Sequence, residues 1–495
     1  MLRLLKGICF GLLLVGGIEK VSAFAMLGPY ATWQVPLIGY GLTTGTADIG
    51  GPQNLGEEYR YNIPTLTYAY DSAFLNYFGT NGIAEIEQAM KSLNDLPPFS
   101  QMSPDLTEYP NDTRRFNYQA NALGLLDLKA TAMGSLLEEL GLAGPERYAW
   151  CLRNRYVDPA NVPWYTVIKR NFDPVTWEPT SYVNGALFTY TIGVVDTVPD
   201  YDAIELETDP NLPNTSSVAI YNEAAFNTVD TTGEFVTSDY GMFYTGFTRD
   251  DIGALRYLYR SSNWNVEQLA TNAIAAANGA QGGLIGGGGG GGNPWGNPGG
   301  TNTTTGTNTT TTTTVTNAVV AAALRPGLDH INFVRVNYDS TYGTWVTLTN
   351  VWTDSYITNG ATKTQKLQRT LASPDIIFTA ADLGVDAVGD PILMARSVPA
   401  FVNSSALNSV AGGGTLNGPG TIDPGAAVIV FSKMGPWWYQ TTGGESSPRF
   451  QGPLWGSFDG TTNAPIVYPS GLSIQALEEA VLTGSGSGRN PYLSP

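Results

Sequence analysis

The reading of this chain turns on Gly134-Ser135-Leu136-Leu137-Glu138-Glu139-Leu140-Gly141-Leu142-Ala143-Gly144. Its leucines continue a helical spacing that begins upstream with Leu123, Leu126 and Met133, and Gly141 and Gly144 supply a helix stop. A helix over about Phe116 to Leu140 is therefore predicted. Working outward, Ile63 to Tyr70 alternates Leu66, Tyr68 and Tyr70 as a strand does. A first helix follows. Ile83, Ile86, Met90 and Leu93 define its apolar face, Asn81 and Gly82 precede it, and Pro97-Pro98 closes it. On the other side, Cys151 to Arg170 reads as two strands crossing a turn at Asp158-Pro159. A further helix starts at Thr248, whose hydroxyl can cap amides near Asp251, with Asp250 and Asp251 at the positive end of the dipole and Ile252, Leu255 and Leu258 as its buried stripe.

This order of elements, over about residues 60–260, resembles the matrixin branch of the metzincin metallopeptidases. Thr65 to Leu96 looks like the opening strand and first long helix of that domain. Residues 134–144 look like its zinc-binding helix and glycine turn. Gly241-Met242-Phe243-Tyr244 and the following Phe247 to Tyr259 are similar to its methionine turn and closing helix, and this is the most specific of the three matches. In that family the zinc helix carries His-Glu-x-x-His-x-x-Gly-x-x-His, with three histidines on the metal and the glutamate polarising its water. Aligned on Gly141, the ligand positions fall on Gly134, Glu138 and Gly144, and the base position on Ser135. One carboxylate cannot hold a catalytic zinc that takes three protein ligands. The resemblance therefore implies an α+β, metzincin-like N-terminal domain without its active site, a pseudopeptidase.

Composition sets the wider limits. The 495 residues carry 43 acidic and 25 basic side chains, a formal charge of −18, and a single histidine, His330. Such a balance argues against nucleic acid or anionic lipid as a partner, since both require clustered cations. Residues 1–23 read as a secretory signal: Arg3 and Lys6, an apolar run from Ile8 to Ile18, then Val21-Ser22-Ala23. No second long apolar stretch follows, so no membrane insertion is expected after signal removal. Cys9 leaves with the signal, and the remaining thiol, Cys151 beside Trp150, reads as buried and inert. From 277 to 317 the chain becomes a Gly/Asn/Thr linker, including the runs Gly286–Gly292 and Thr309–Thr314. The expected organisation is a signal at 1–23, a metzincin-like domain at 24–276, a linker at 277–317 and a β-rich, sandwich-like domain at 318–495. In that last segment a hairpin is predicted over 331–353 around Tyr342-Gly343, a strand at Ala427–Ser432 and a helix at Gln475–Leu482.

Other chemistry is thinly represented. His330 beside Asp329 has no G-x-S-x-G partner, no lysine stands three residues after a serine, and no calcium loop is present. Glycosidase-type hydrolysis needs two carboxylates roughly 5 to 10 Å apart. The adjacent pairs Glu138/Glu139 and Asp250/Asp251 point in different directions and read as solvated faces and caps. No catalytic, cofactor-binding or metal-binding residue is assigned, and no cofactor is expected. The leading expectation is an exported or cell-surface, non-catalytic binding, structural or assembly protein, with an extracellular protein or glycan as partner. The alternatives are an extracellular hydrolase using paired carboxylates, suited to polysaccharide, and a carbohydrate-binding protein using Trp437, Trp438, Tyr439, Trp455 and Phe458.

Overall fold

The computed structural model describes residues 24–31, 49–160, 162–194, 203–208, 240–276, 283–286, 319–338, 348–383, 392–403, 419–425, 427–433, 437–440, 446–449 and 454–469. The expected signal, the helix at Gln475–Leu482, the turn at Tyr342-Gly343 and most of the linker lie outside them. The described chain is α+β and rich in strands, with few helices.

At its centre is a five-stranded sheet built from β1 Thr65–Tyr70, β2 Asn332–Arg335, β3 Ile376–Ala381, β4 Met394–Arg396 and β5 Ala427–Ser432. The order is β2-β1-β3-β5-β4. The first four run parallel, and β4 pairs antiparallel with β5 at the edge. The apolar runs Ile376-Ile377-Phe378 and Ala427 to Phe431 suit this position, because parallel strands covered on both faces lose the polar alternation of a half-exposed strand. Helix α1, Ser72–Asn94, lies against the sheet. Asp71 caps it by accepting from the Phe74 amide at 2.8 Å. It thus begins earlier than the Asn81-Gly82 start read from sequence, and Gly79, at φ 60°, interrupts its helical geometry. Phe74 and Phe78 pack onto Phe378 and Phe431, with centroids 6.3 and 5.7 Å apart.

The single helix expected over 116–140 is broken. Tyr118–Ala122 forms α2, Gly124 takes φ +64°, and Leu125–Asp127 leaves as a strand. That strand pairs in parallel with Leu454–Ser457, and α3, Leu128–Glu139, starts afresh with Asp127 as its cap. The cause is local: a left-handed glycine ends one helix and an aspartate restarts the next. After a short turn α4, Pro145–Tyr148, the strands Cys151–Val157 and Pro163–Ile168 pair as expected across Asp158. Helix α5, Arg249–Tyr259, has the expected cap: Thr248 and Asp251 form a reciprocal box, and Ile252, Leu255 and Leu258 are buried. Cys151 is fully buried.

Strands from the two sides of 277–317 share sheets rather than forming two separate units. β1 lies between β2 and β3, Tyr59–Arg60 pairs with Gly420–Asp423, and Asn265–Gln268 pairs with Ala322–Arg325. Within the expected linker, Gly283–Gly286 pairs with the strand Leu348–Thr358. The segment from Ile331 therefore enters the sheet beside β1 instead of turning into a hairpin. The hairpin lies further on, where Leu348–Thr358 meets Ala361–Leu371 through Asn359-Gly360, both at positive φ (50° and 73°), as a primed turn requires. Three arginines in buried ion pairs, Arg60 with Glu267 at 2.6 Å, Arg325 with Asp354 at 3.0 Å and Arg369 with Asp375 at 2.6 Å, also donate across these junctions, to Arg325 O at 3.2 Å, Glu267 O at 2.7 Å and Thr65 O at 3.0 Å respectively. Among the described residues no helix is long and apolar enough to cross a membrane.

Candidate functional site

The positions that the family resemblance singles out are packed shut. Gly134, Ser135, Glu138 and Gly144 are all buried. The Ser135 hydroxyl donates back to Thr131 O at 2.9 Å and touches the Met394 sulfur. Glu138 forms an ion pair with Arg396 of edge strand β4. Gly141 stands at φ +97°, its amide donating to Glu138 O at 2.9 Å, and a Cβ there would lie 2.6 Å from Tyr59 O. The one histidine is elsewhere, just before β2, and its neighbour Asp329 accepts from the Ser100 amide and hydroxyl at 2.7 and 2.5 Å. Among the described residues no group of three or more His, Cys, Asp or Glu could hold a metal ion. These residues do not fit a zinc centre.

The adjacent acid pairs are not solvated faces, contrary to the sequence reading. Glu138, Glu139, Asp250 and Asp251 are all at most 1% exposed. Asp250 accepts from the Asn184 amide at 2.6 Å, and Asp251 from the Thr248 amide at 2.6 Å, so both do serve as caps or turn anchors. Glu139 has no hydrogen-bond partner at either oxygen, and burial pushes its carboxyl up to about 8. The aromatic platform also changes. Trp455 is fully buried, its indole N–H donating to Ser432 O at 2.8 Å and its ring meeting Phe431 edge-on at 5.4 Å. It is a core residue and cannot stack on a sugar.

The structure instead assembles a site that sequence reading did not nominate. A cavity of about 460 Å³ opens between α1, the start of α3, the strand Met242–Tyr244 and the segment 457–466. Carboxylates enter it from three places: Glu85 on α1, Asp127 at the cap of α3, and Asp459 after the strand Leu454–Ser457. Lys129 adds one cation, and Phe243, Tyr244 and Phe458 supply aromatic wall, with Phe243 and Phe458 edge-to-face at 6.2 Å. Asp127 Oδ2 accepts from the Ala130 amide at 2.9 Å, whereas Oδ1 has no partner. Burial first, and the neighbouring Glu85 charge second, push the Asp127 carboxyl up to about 8. Burial also raises Glu85, against the pull of Lys129 and the Ser457 hydroxyl. Asp459 goes the other way, because the Thr461 hydroxyl and amide hold its charged form. The Ser457 and Tyr468 hydroxyls share a hydrogen bond of 2.6 Å nearby.

One signal for this site is present in sequence: Asp127 stands just before an apolar helix start, the place where a carboxylate caps. Nothing local links it to Glu85 or Asp459. No protein-family model, no curated protein and no solved structure matches the chain.

Proposed function

We propose that this chain is an exported or cell-surface, non-catalytic protein that binds or assembles with an extracellular protein or glycan. In this reading residues about 60–260 form a matrixin-like scaffold without zinc ligands, and strands after residue 318 complete its sheets. The observation that carries it is the closure of α3: Glu138, the only ligand-type side chain among the three positions, is committed to Arg396. Export rests on the signal-like residues 1–23. Elemental analysis of the purified chain is expected to give no stoichiometric zinc, and peptidase assays no chelator-sensitive cleavage. One zinc per chain, removed together with such activity, would sink the reading.

A second reading is favoured by a different observation, the divergence of Asp127 and Asp459 in one cavity. A carboxyl held protonated beside one held ionised is the pairing that acid–base hydrolysis uses. In this reading the chain is an extracellular hydrolase, with Asp127 as general acid and polysaccharide as substrate. Reducing-sugar release from a panel of polysaccharides, lost in Asp127→Asn, would establish it. Silence of the unmodified chain on the panel leaves the binding reading standing.

A further inference from the structure

The cavity is unbalanced in charge and incomplete in hydrogen bonding. Three carboxylates line it against one lysine. Asp127 is 5% exposed, and its Oδ1 finds no donor. A buried carboxylate oxygen without a donor is costly to a fold, and such atoms are commonly met by a ligand or solvent. The remaining wall mixes polar side chains, among them Gln88, Thr245 and Asn463, with the rings of Phe243, Tyr244 and Phe458, and a cation is attracted to ring faces.

We propose that this cavity binds an organic cation, a protonated amine on a slim apolar body. The ammonium donates to Asp127 Oδ1 and to the Glu85 carboxylate, and the body lies against Phe243 and Phe458. A bare metal ion suits the site less well. Its carboxylates do not form a metal-holding group, and about 460 Å³ with aromatic walls far exceeds one ion. A neutral hydroxyl would satisfy Oδ1 but leave the charge imbalance untouched, whereas an ammonium answers both. The inference goes beyond the binding reading, which names a protein or glycan, and rests on that reading only in that the cavity is not catalytic.

Binding should depend on pH through Asp127. The groups that face it are Glu85 on α1, Lys129 on α3, Tyr244 on the strand Met242–Tyr244, and Ser457, Asp459 and Tyr468 from the segment after Leu454. An ammonium requires the ionised acid, which burial and Glu85 disfavour up to about 8. Binding near neutrality therefore releases a proton, and affinity rises from about pH 6 to about pH 8.

The test is titration calorimetry of the full chain with benzylammonium chloride, its neutral counterpart benzyl alcohol, calcium chloride and a neutral trisaccharide. Two buffers of different ionisation heat count the released proton. Asp127→Asn keeps an oxygen for the Ala130 amide, so the helix start survives, and a thermal melt verifies this. Benzylammonium is expected to bind, with affinity about tenfold or more lower in Asp127→Asn and in Glu85→Gln, the scale of one charge-assisted hydrogen bond. Proton release should vanish in Asp127→Asn. The proposal is overturned by no amine binding up to on the order of 10 mM, by equal binding of the alcohol, by calcium displacing the amine, or by an unchanged affinity in folded Asp127→Asn. These outcomes reject the ligand class alone. Polysaccharide cleavage lost in Asp127→Asn rejects the binding reading beneath it.

Discussion

The two ends of α3 treat carboxylates differently. At the C-terminal end, where the resemblance to a metallopeptidase would put ligands, Glu138 is ion-paired and the glycine turn is wrapped by the backbone of Tyr59. At the N-terminal end Asp127 spends one oxygen on the helix and leaves the other without a donor beside an open cavity. Glu139 sharpens the contrast: it too is buried, donor-free and pushed up to about 8, yet it does not line that cavity. A shifted carboxyl alone therefore does not mark a site. What distinguishes Asp127 is the hollow in front of it and a second acid across that hollow.

The comparison can be broken most forcefully at Arg396. Arg396→Met leaves Glu138 buried without its cation, and urea unfolding should show a loss of about 3–5 kcal/mol, largely restored by adding Glu138→Gln. A small loss would mean that the C-terminal end is not sealed by this pair. Next is Gly141→Ala, which places a Cβ against Tyr59 O at positive φ. It should cost about 1–3 kcal/mol in the same measurement.

Glu139 and Asp127 are raised in the folded chain, so their contribution to stability is complete below the ordinary carboxylate range and is lost as pH rises towards about 8. Stability should fall across that window, by at most about 1.4 kcal/mol per pH unit for each proton, and Glu139→Gln should flatten the slope. An unchanged slope would show that Glu139 is ionised in the fold. The smallest effect belongs to the cap: Asp127→Ala should cost about 1 kcal/mol and Asp127→Asn close to nothing. Equal losses for both would give Oδ1 a structural partner and weaken the contrast between the ends.

Local signals carried the local structure. The alternation of Leu66, Tyr68 and Tyr70 marks β1, and Thr248 with Asp251 marks the start of α5, because each is decided within a few residues. Even locally, two signals outweighed the leucine spacing that suggested one long helix: Gly124 and Asp127 split it. Asn359-Gly360 is the stronger hairpin dipeptide, and the hairpin forms there rather than at Tyr342-Gly343. The sheet order was not legible, since parallel partners leave no mark on one another's sequence. The cavity was hidden for the same reason. Inspection of neighbouring acid pairs leads to Glu138/Glu139 and Asp250/Asp251, while Glu85, Asp127 and Asp459 converge only after the strand Leu454–Ser457 docks beside Leu125–Asp127.

The interleaved sheet has a consequence for how the chain acquires its structure. Thr67 on β1 is hydrogen-bonded to Asp375, 308 residues away, and β1 has sheet partners on both sides only once β2 and β3 exist. During synthesis α1 and β1 emerge early with their apolar faces unmatched. Such long-range pairing makes folding slow, and the waiting segments expose strand edges on which misassembly feeds. The central sheet therefore cannot be completed until the strands at 332–335, 376–381 and 427–432 have been made.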